Sequence, residues 1–232
     1  MAYLQSTEFW IGLVKIVWIN LILSGDNAVV IAMAARALPQ HQQRSAVVFG
    51  SAAAVVLRIV LTVLAARLLA LPYLQILGGM LLLWIGVQLL SGEDEGEGEE
   101  GQSYGSLFSA VRTILLADLV MSLDNVIAVA AAAHGSLVLL VLGLALSIPL
   151  VIFGSTLMIR LMERFPVIVL FGAALIGWVA GETIVSDTIL HGFVADLPWL
   201  HYVTAGAGAA LVLWIGHELH KRALAQSRRA AH

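Results

Sequence analysis

Two short stretches place an acid, an amide and a hydroxyl where the surrounding sequence is apolar: Ser24-Gly25-Asp26-Asn27 and Ser122-Leu123-Asp124-Asn125. Asn20 stands four residues before Ser24, and Asp118 four before Ser122. On an α-helix Asn20, Ser24 and Asn27 share one stripe, at i, i+4 and i+7, and Asp118, Ser122 and Asn125 repeat it. Asp26 and Asp124 are one step off the stripe. Ser24-Gly25 and the Asx residues are expected to loosen the helix and turn both carboxylates inward. Carboxylates, amides and hydroxyls are hard ligands that suit Mg, Ca or Mn, whereas Zn and Cu sites usually recruit His or Cys. The chain has no Cys. The candidate ligands are therefore Asp26, Asn27, Asp124, Asn125, Asp118, Ser24, Ser122 and Asn20. Arg58, Gln88 and Glu182 are three further polar residues in apolar surroundings.

The elements that must hold these residues are membrane spans. Of the 232 residues 60% are hydrophobic and only 12% charged, against about a quarter charged in an ordinary globular domain. Apolar runs of about 20 residues recur, each long enough to cross a hydrocarbon core. A lipid-facing backbone must satisfy its own hydrogen bonds, which predicts helices, and the alternating strands of a barrel are absent from the pattern. An all-α, polytopic protein of about seven helices is expected, near 10–35, 46–70, 72–91, 107–133, 137–160, 166–187 and 199–217. Pro39, Pro72, Pro166 and Pro198 punctuate them, and Pro149 falls inside the fifth. No basic segment precedes the first apolar run, so a cleaved signal peptide is not expected. Arg36, Arg44, Arg160, Arg164 and the basic tail Lys221 to Arg229 fall on one side of a seven-span chain. By the positive-inside rule the N-terminus is outside and the C-terminus cytoplasmic, in a plasma (bacterial inner) membrane. The linker around 92–106 holds six of the fifteen acidic residues and is read as a solvated tether.

The chain also repeats itself. At an offset of 98, residues 16–32 match 114–130, and a second match sets Gly78, Leu81, Trp84 and Gln88 against Gly172, Leu175, Trp178 and Glu182. Three spans per copy is an odd number, so the copies are inverted. This divides the chain into a first repeat (1–91), the acidic linker (92–106), a second repeat (107–190) and an extra helix with a basic tail (191–232). Inverted repeats of this kind hold substrate near the midplane where they meet. A central acidic residue costs roughly 2.5–3.5 kcal/mol on insertion scales, so these groups must face a cation, water or one another. The symmetry predicts Asn20 and Glu182 in the outer half, and Asp118 and Gln88 in the inner half, as the two access paths. Arg58 is expected to pair with one of the Asp residues, either holding the site closed or as a structural ion pair. Gly177/Gly181 and Ala205/Ala209 are small-xxx-small pairs that mark close helix packing. His217-Glu218-Leu219-His220 has the wrong spacing for the H-E-x-x-H zinc motif.

The segments ILSGDNAVVIA at 22–32 and DLVMSLDNVIAVA at 118–130 resemble the paired motifs of the TerC family of integral membrane proteins, in particular its YjbE-like branch. The resemblance covers nearly the whole chain. It implies a LysE-type transporter fold and export of Mn²⁺ from the cytoplasm. Family members are also linked to tellurite resistance and to metal loading of exported proteins. Carried over by position, the motif residues are Asp26, Asn27, Asp124, Asn125 and Asp118. Asn20 stands where an acidic residue would match Asp118, which removes one ligand or proton carrier from the first copy.

These readings converge on a transporter, not an enzyme. It would export a divalent cation, Mn²⁺ first and Ca²⁺ or another hard dication as alternatives, by alternating access. Proton exchange on Asp118 or Asp124 is the expected drive. The lipid bilayer is the other partner, nucleic acid is not expected, and the oligomeric state is left open. Two other classes stay in view. One is a membrane assembly or metal-loading factor without a transport cycle. The other is an intramembrane aspartyl protease, which Leu23 disfavours by standing where a G-x-G-D motif needs Gly.

Overall fold

The computed structural model describes residues 7–68, 71–91, 103–133, 135–190, 194, 197 and 199–230. For residues 8, 65–67, 103–106, 124 and 222–230 it describes the backbone alone. Eight helices occupy these residues: α1 (Thr7–Ile22), α2 (Gly25–Arg36), α3 (Gln40–Leu68), α4 (Leu74–Ser91), α5 (Ser103–Ala133), α6 (Leu137–Arg164), α7 (Val167–Val185) and α8 (Trp199–Ala230). Five are long and apolar enough to cross a membrane unaided, and the count reaches seven when each of two bent pairs is one span. The expected all-α, multi-pass architecture is the one observed. The acidic linker lies almost wholly outside the described residues.

The two bends fall at the two polar motifs. Between Ile22 and Gly25 the first span turns by 53°, and between Leu123 and Asn125 the fourth turns by 68°. The first break is the one that Ser24-Gly25 predicts. Two ends differ from the apolar pattern. Helix α3 begins at Gln40, directly after Pro39, because Pro fits a helix start and the polar residues that follow are good helix formers. Helix α8 continues to Ala230 because no Gly or Pro interrupts its charged tail.

Helix pairing keeps the repeat. Helix α3 packs on α5 as α6 packs on α1, and α2 meets α7 as α5 meets α4. The third helices of the two copies, α4 and α7, pack on each other. Helix α8 has no counterpart and lies against α7 and α4. Its seam with α7 is backbone on backbone: Gly177 and Gly181 face Thr204, Ala205, Gly208 and Ala209 with no room for a side chain between. The small-xxx-small pairs thus meet each other.

One loop residue ties the copies together. Asp187, fully buried just past α7, accepts hydrogen bonds from the N–H groups of Tyr73, Gln75, Ile76 and Ile189 at 3.2, 3.1, 3.3 and 3.0 Å. It therefore caps α4 from more than a hundred residues away. Burial alone would raise its pKa, but the N–H groups of Ile189, Ile76, Tyr73 and Gln75 outweigh that and hold the carboxyl below its ordinary value. Tyr73 presents its N–H with φ at 65°, a left-handed conformation uncommon for a bulky residue.

Candidate functional site

At the level of the two bends the core turns polar. Arg58 of α3 and Asp118 of α5, each 4% exposed, form an ion pair with Nη2 2.6 Å from Oδ1. The guanidinium uses its whole fork. Nη1 donates to Asn20 Oδ1 and, at 3.2 Å, to Ser24 Oγ, and Nε donates to Ser122 Oγ at 3.0 Å. Ser122 Oγ donates in turn to the second carboxylate oxygen of Asp118 at 3.2 Å. Asn20 passes a further hydrogen bond to Ser147 of α6, whose hydroxyl donates to Leu144 O at 2.6 Å. Four spans thus contribute to one polar network sealed from lipid and water. Such a network holds a charge in low dielectric only if every member finds a partner.

The network is built where the helices break. With α1 ended at Ile22, the carbonyl of Leu23 loses its place in the helical ladder, as helix-end carbonyls do. It accepts the side-chain amides of both motif asparagines, Asn27 at 3.3 Å and Asn125 at 3.4 Å. Asn125 also donates to Met121 O at 3.0 Å. Asp26, half-buried in the first turn of α2, accepts the N–H of Asn27 at 2.8 Å and lies within electrostatic reach of Arg58 and Asp118. The negative charge suits that helix N-terminus.

Beside the guanidinium is a void of about 10 Å³, lined by Asn20, Ser24, Asn27, Ser51, Arg58 and Asp118 among others. That is about the space one water needs. Asn27 Oδ1 and Ser51 Oγ line it, buried and without a hydrogen-bond partner. The residues therefore fit a hard cation in chemistry: one carboxylate, two amide oxygens and several hydroxyls converge. Among the described residues no three His, Cys, Asp or Glu side chains gather in one place. The side chain of Asp124 lies outside the described residues, so its expected place opposite Asp26 is not part of this geometry.

The sequence-derived candidates divide clearly. Asn20, Ser24, Asn27, Asp118, Ser122 and Arg58 come together in the buried cluster or its void, with Asp26 and Asn125 at its edge. Gln88 and Glu182 do not. Gln88 lines a cavity of about 310 Å³ at the end of the bundle that carries Arg36 and Glu163, and its Oε1 is buried there without a partner. Glu182 is exposed near the opposite end of α7. Asn20 and Asp118, expected in separate halves, are joined through Arg58. Both touch the same guanidinium, because the long Arg58 side chain reaches across the interface between α1 and α5. Ser147 and Ser51 were missed. Their signal was available: single hydroxyls in apolar helices beside the broken spans.

The comparisons now bear on this geometry. The sequence profile described as "Integral membrane protein TerC family" matches residues 5–224. The chain belongs to the TerC family. Among curated relatives it is similar to "Uncharacterized membrane protein YjbE" of Bacillus subtilis, with 48% identity over 189 residues, 82% of this chain and 86% of that protein. It is also similar to "Uncharacterized membrane protein YceF" of the same organism, at 25% identity over 90% of this chain and 82% of that protein. At 24% identity it resembles "UPF0053 inner membrane protein YoaE" of Escherichia coli, with 96% of this chain matched but only 45% of that longer protein. No solved structure matches it. This TerC-family protein is thus a multi-pass helical integral membrane protein whose two Asp-Asn motifs mark the breaks in its two bent spans.

Proposed function

We propose that this TerC-family protein exports a hard divalent cation, Mn²⁺ first, across a bacterial inner membrane by alternating access between its two repeats. The observation that carries this reading is the buried oxygen cluster at the two bends, fed by both copies. Intramembrane ionisable groups are expensive and mark ion pathways. Broken helices at the midplane are the usual means of turning backbone and side-chain oxygens toward an ion. Asp26 and Asp124 would join Asp118, Asn27 and Asn125 in holding the dication, with Asn20, Ser24 and Ser122 as neutral ligands. With the basic end inside and the N-terminus outside, as the positive-inside rule has it, the cavity at Arg36, Gln88 and Glu163 would be the cytoplasmic vestibule. Proton exchange on a site carboxylate is the proposed drive.

The test is cation flux in liposomes containing wild type, Asp26→Asn or Asp124→Asn, scanning Mn²⁺, Ca²⁺, Mg²⁺ and Zn²⁺. Mn²⁺ movement in wild type and its loss in both folded variants is the expected result. If no cation moves, or the variants match wild type, the transport reading fails. The Arg58–Asp118 pair would then favour a membrane assembly or metal-loading role.

A further inference from the structure

Every oxygen that Arg58 holds is one that a dication would want. Its guanidinium engages Asp118 Oδ1, Asn20 Oδ1, Ser24 Oγ and Ser122 Oγ. Those are hard ligands of the kind preferred by Mg²⁺, Ca²⁺ and Mn²⁺. The remaining void of about 10 Å³ cannot hold an ion with its ligand shell beside the guanidinium. Charge leads to the same exclusion. Arg58 already neutralises Asp118, so a dication entering next to it would meet a buried positive charge instead of a carboxylate.

We propose that Arg58 is a tethered cation that alternates with the transported dication in this oxygen cluster, so that the carriers' return step crosses with Asp118 neutralised. The inference rests on the transport reading above and adds to it how the site resets. A carboxylate moved through low dielectric alone carries a large desolvation cost, and a built-in counter-charge removes it. A purely structural ion pair would be complete in itself. This one also recruits Asn20, Ser24 and Ser122, neutral oxygens that a carboxylate–guanidinium pair does not require, and Asn27 and Ser51 line the void beside it.

The experiment compares wild type with Arg58→Gln in three measurements: Mn²⁺ affinity in detergent, exchange between Mn²⁺ on both sides of a liposome, and net Mn²⁺ flow into metal-free buffer. Removing an internal competitor that fills the site most of the time should tighten the apparent Kd by about tenfold or more. Exchange should persist, since it never needs the cargo-free return, while net flow should fall by about tenfold or more. Net flow at the wild-type rate in Arg58→Gln overturns the inference, and so does loss of both modes in a folded protein. If Arg58→Gln fails to fold, Arg58→Lys keeps the charge but loses the fork. Because the charge is kept, net flow should persist, while the weaker hold on the oxygens should tighten the apparent Kd for Mn²⁺; lost net flow with exchange intact, or an unchanged Kd, overturns the inference. A wild type that moves no cation in either mode removes the transport reading as well. Mn²⁺ movement that is indifferent to Arg58 leaves transport standing and removes the tethered cation alone.

Discussion

The seam between α7 and α8 makes a prediction that one substitution type can test at neighbouring positions. A Cβ placed on Gly181 would lie 2.1 Å from Thr204 O, and one on Gly208 would lie 2.2 Å from Gly177 O. Ordinary contact begins near 3.4 Å, so Gly181→Ala demands a separation of 1.3 Å between two backbones. Neither partner is a side chain that can rotate away. A gap of 0.5–1 Å already forfeits roughly a quarter to a half of the dispersion well for the atoms that face it. Overpacking costs about 1–3 kcal/mol, and with backbone on both sides the upper end applies. Against this, Ala gains up to about 1 kcal/mol over Gly in a helix. The net expectation for Gly181→Ala and Gly208→Ala is a loss of about 2 kcal/mol. Gly206→Ala, in the same helix, meets nothing within 4 Å and should gain up to about 1 kcal/mol. Unfolding in mixed detergent micelles, followed by helical circular dichroism, measures all three. If Gly181→Ala and Gly208→Ala are no less stable than Gly206→Ala, the tight seam is wrong.

Two further outcomes follow from buried charges. Asp187→Ala removes the cap of α4 and should destabilise the protein at neutral pH. Because the folded carboxyl titrates below the ordinary value of 3.8, its contribution is complete above that pH and is lost as pH falls through the folded pKa. The gap between wild type and Asp187→Ala should therefore narrow on acidification below 3.8, and a gap constant down to strong acid would refute the cap. Asp118→Ala alone leaves Arg58 buried and unpaired, at about 3–5 kcal/mol. Adding Arg58→Met should recover much of that in the same micelle titration. Strictly additive losses would show that the two side chains are not coupled.

Much of the architecture was legible because it rests on local signals. Apolar run length and the prolines marked the spans, and the offset of 98 marked the copies. Ser24-Gly25 marked the first break because small and hydrogen-bonding residues compete with the helical ladder. What sequence could not place depends on where distant chains cross. Asp187 carried no signal of its role, because its partners are backbone groups of Tyr73, Gln75 and Ile76, which have no side-chain signature. Arg58 was visible as costly, but its choice of Asp118 over Asp26 follows from the packing of α3 on α5. Nor could the sequence show that Asn20 and Asp118 share one guanidinium, because that depends on how far the Arg58 side chain reaches across the packed helices.

The pairing of Asp with Asn in the first motif has its own physical reason. A broken helix leaves a carbonyl without its ladder partner in a place that water cannot reach. Here that carbonyl belongs to Leu23, and the side-chain amides of Asn27 and Asn125 restore its hydrogen bonding from both copies. Asp26 meanwhile satisfies the N–H of Asn27 at the new helix start. The acid at once supplies charge and caps the second half-helix, and the amide mends the end of the first. Replacing either Asn with Leu would keep the size and remove the repair, leaving the break less well satisfied. In the first motif Asp-Asn thus answers the cost of bending a helix inside a membrane, and Asn125 of the second motif shares in the same repair.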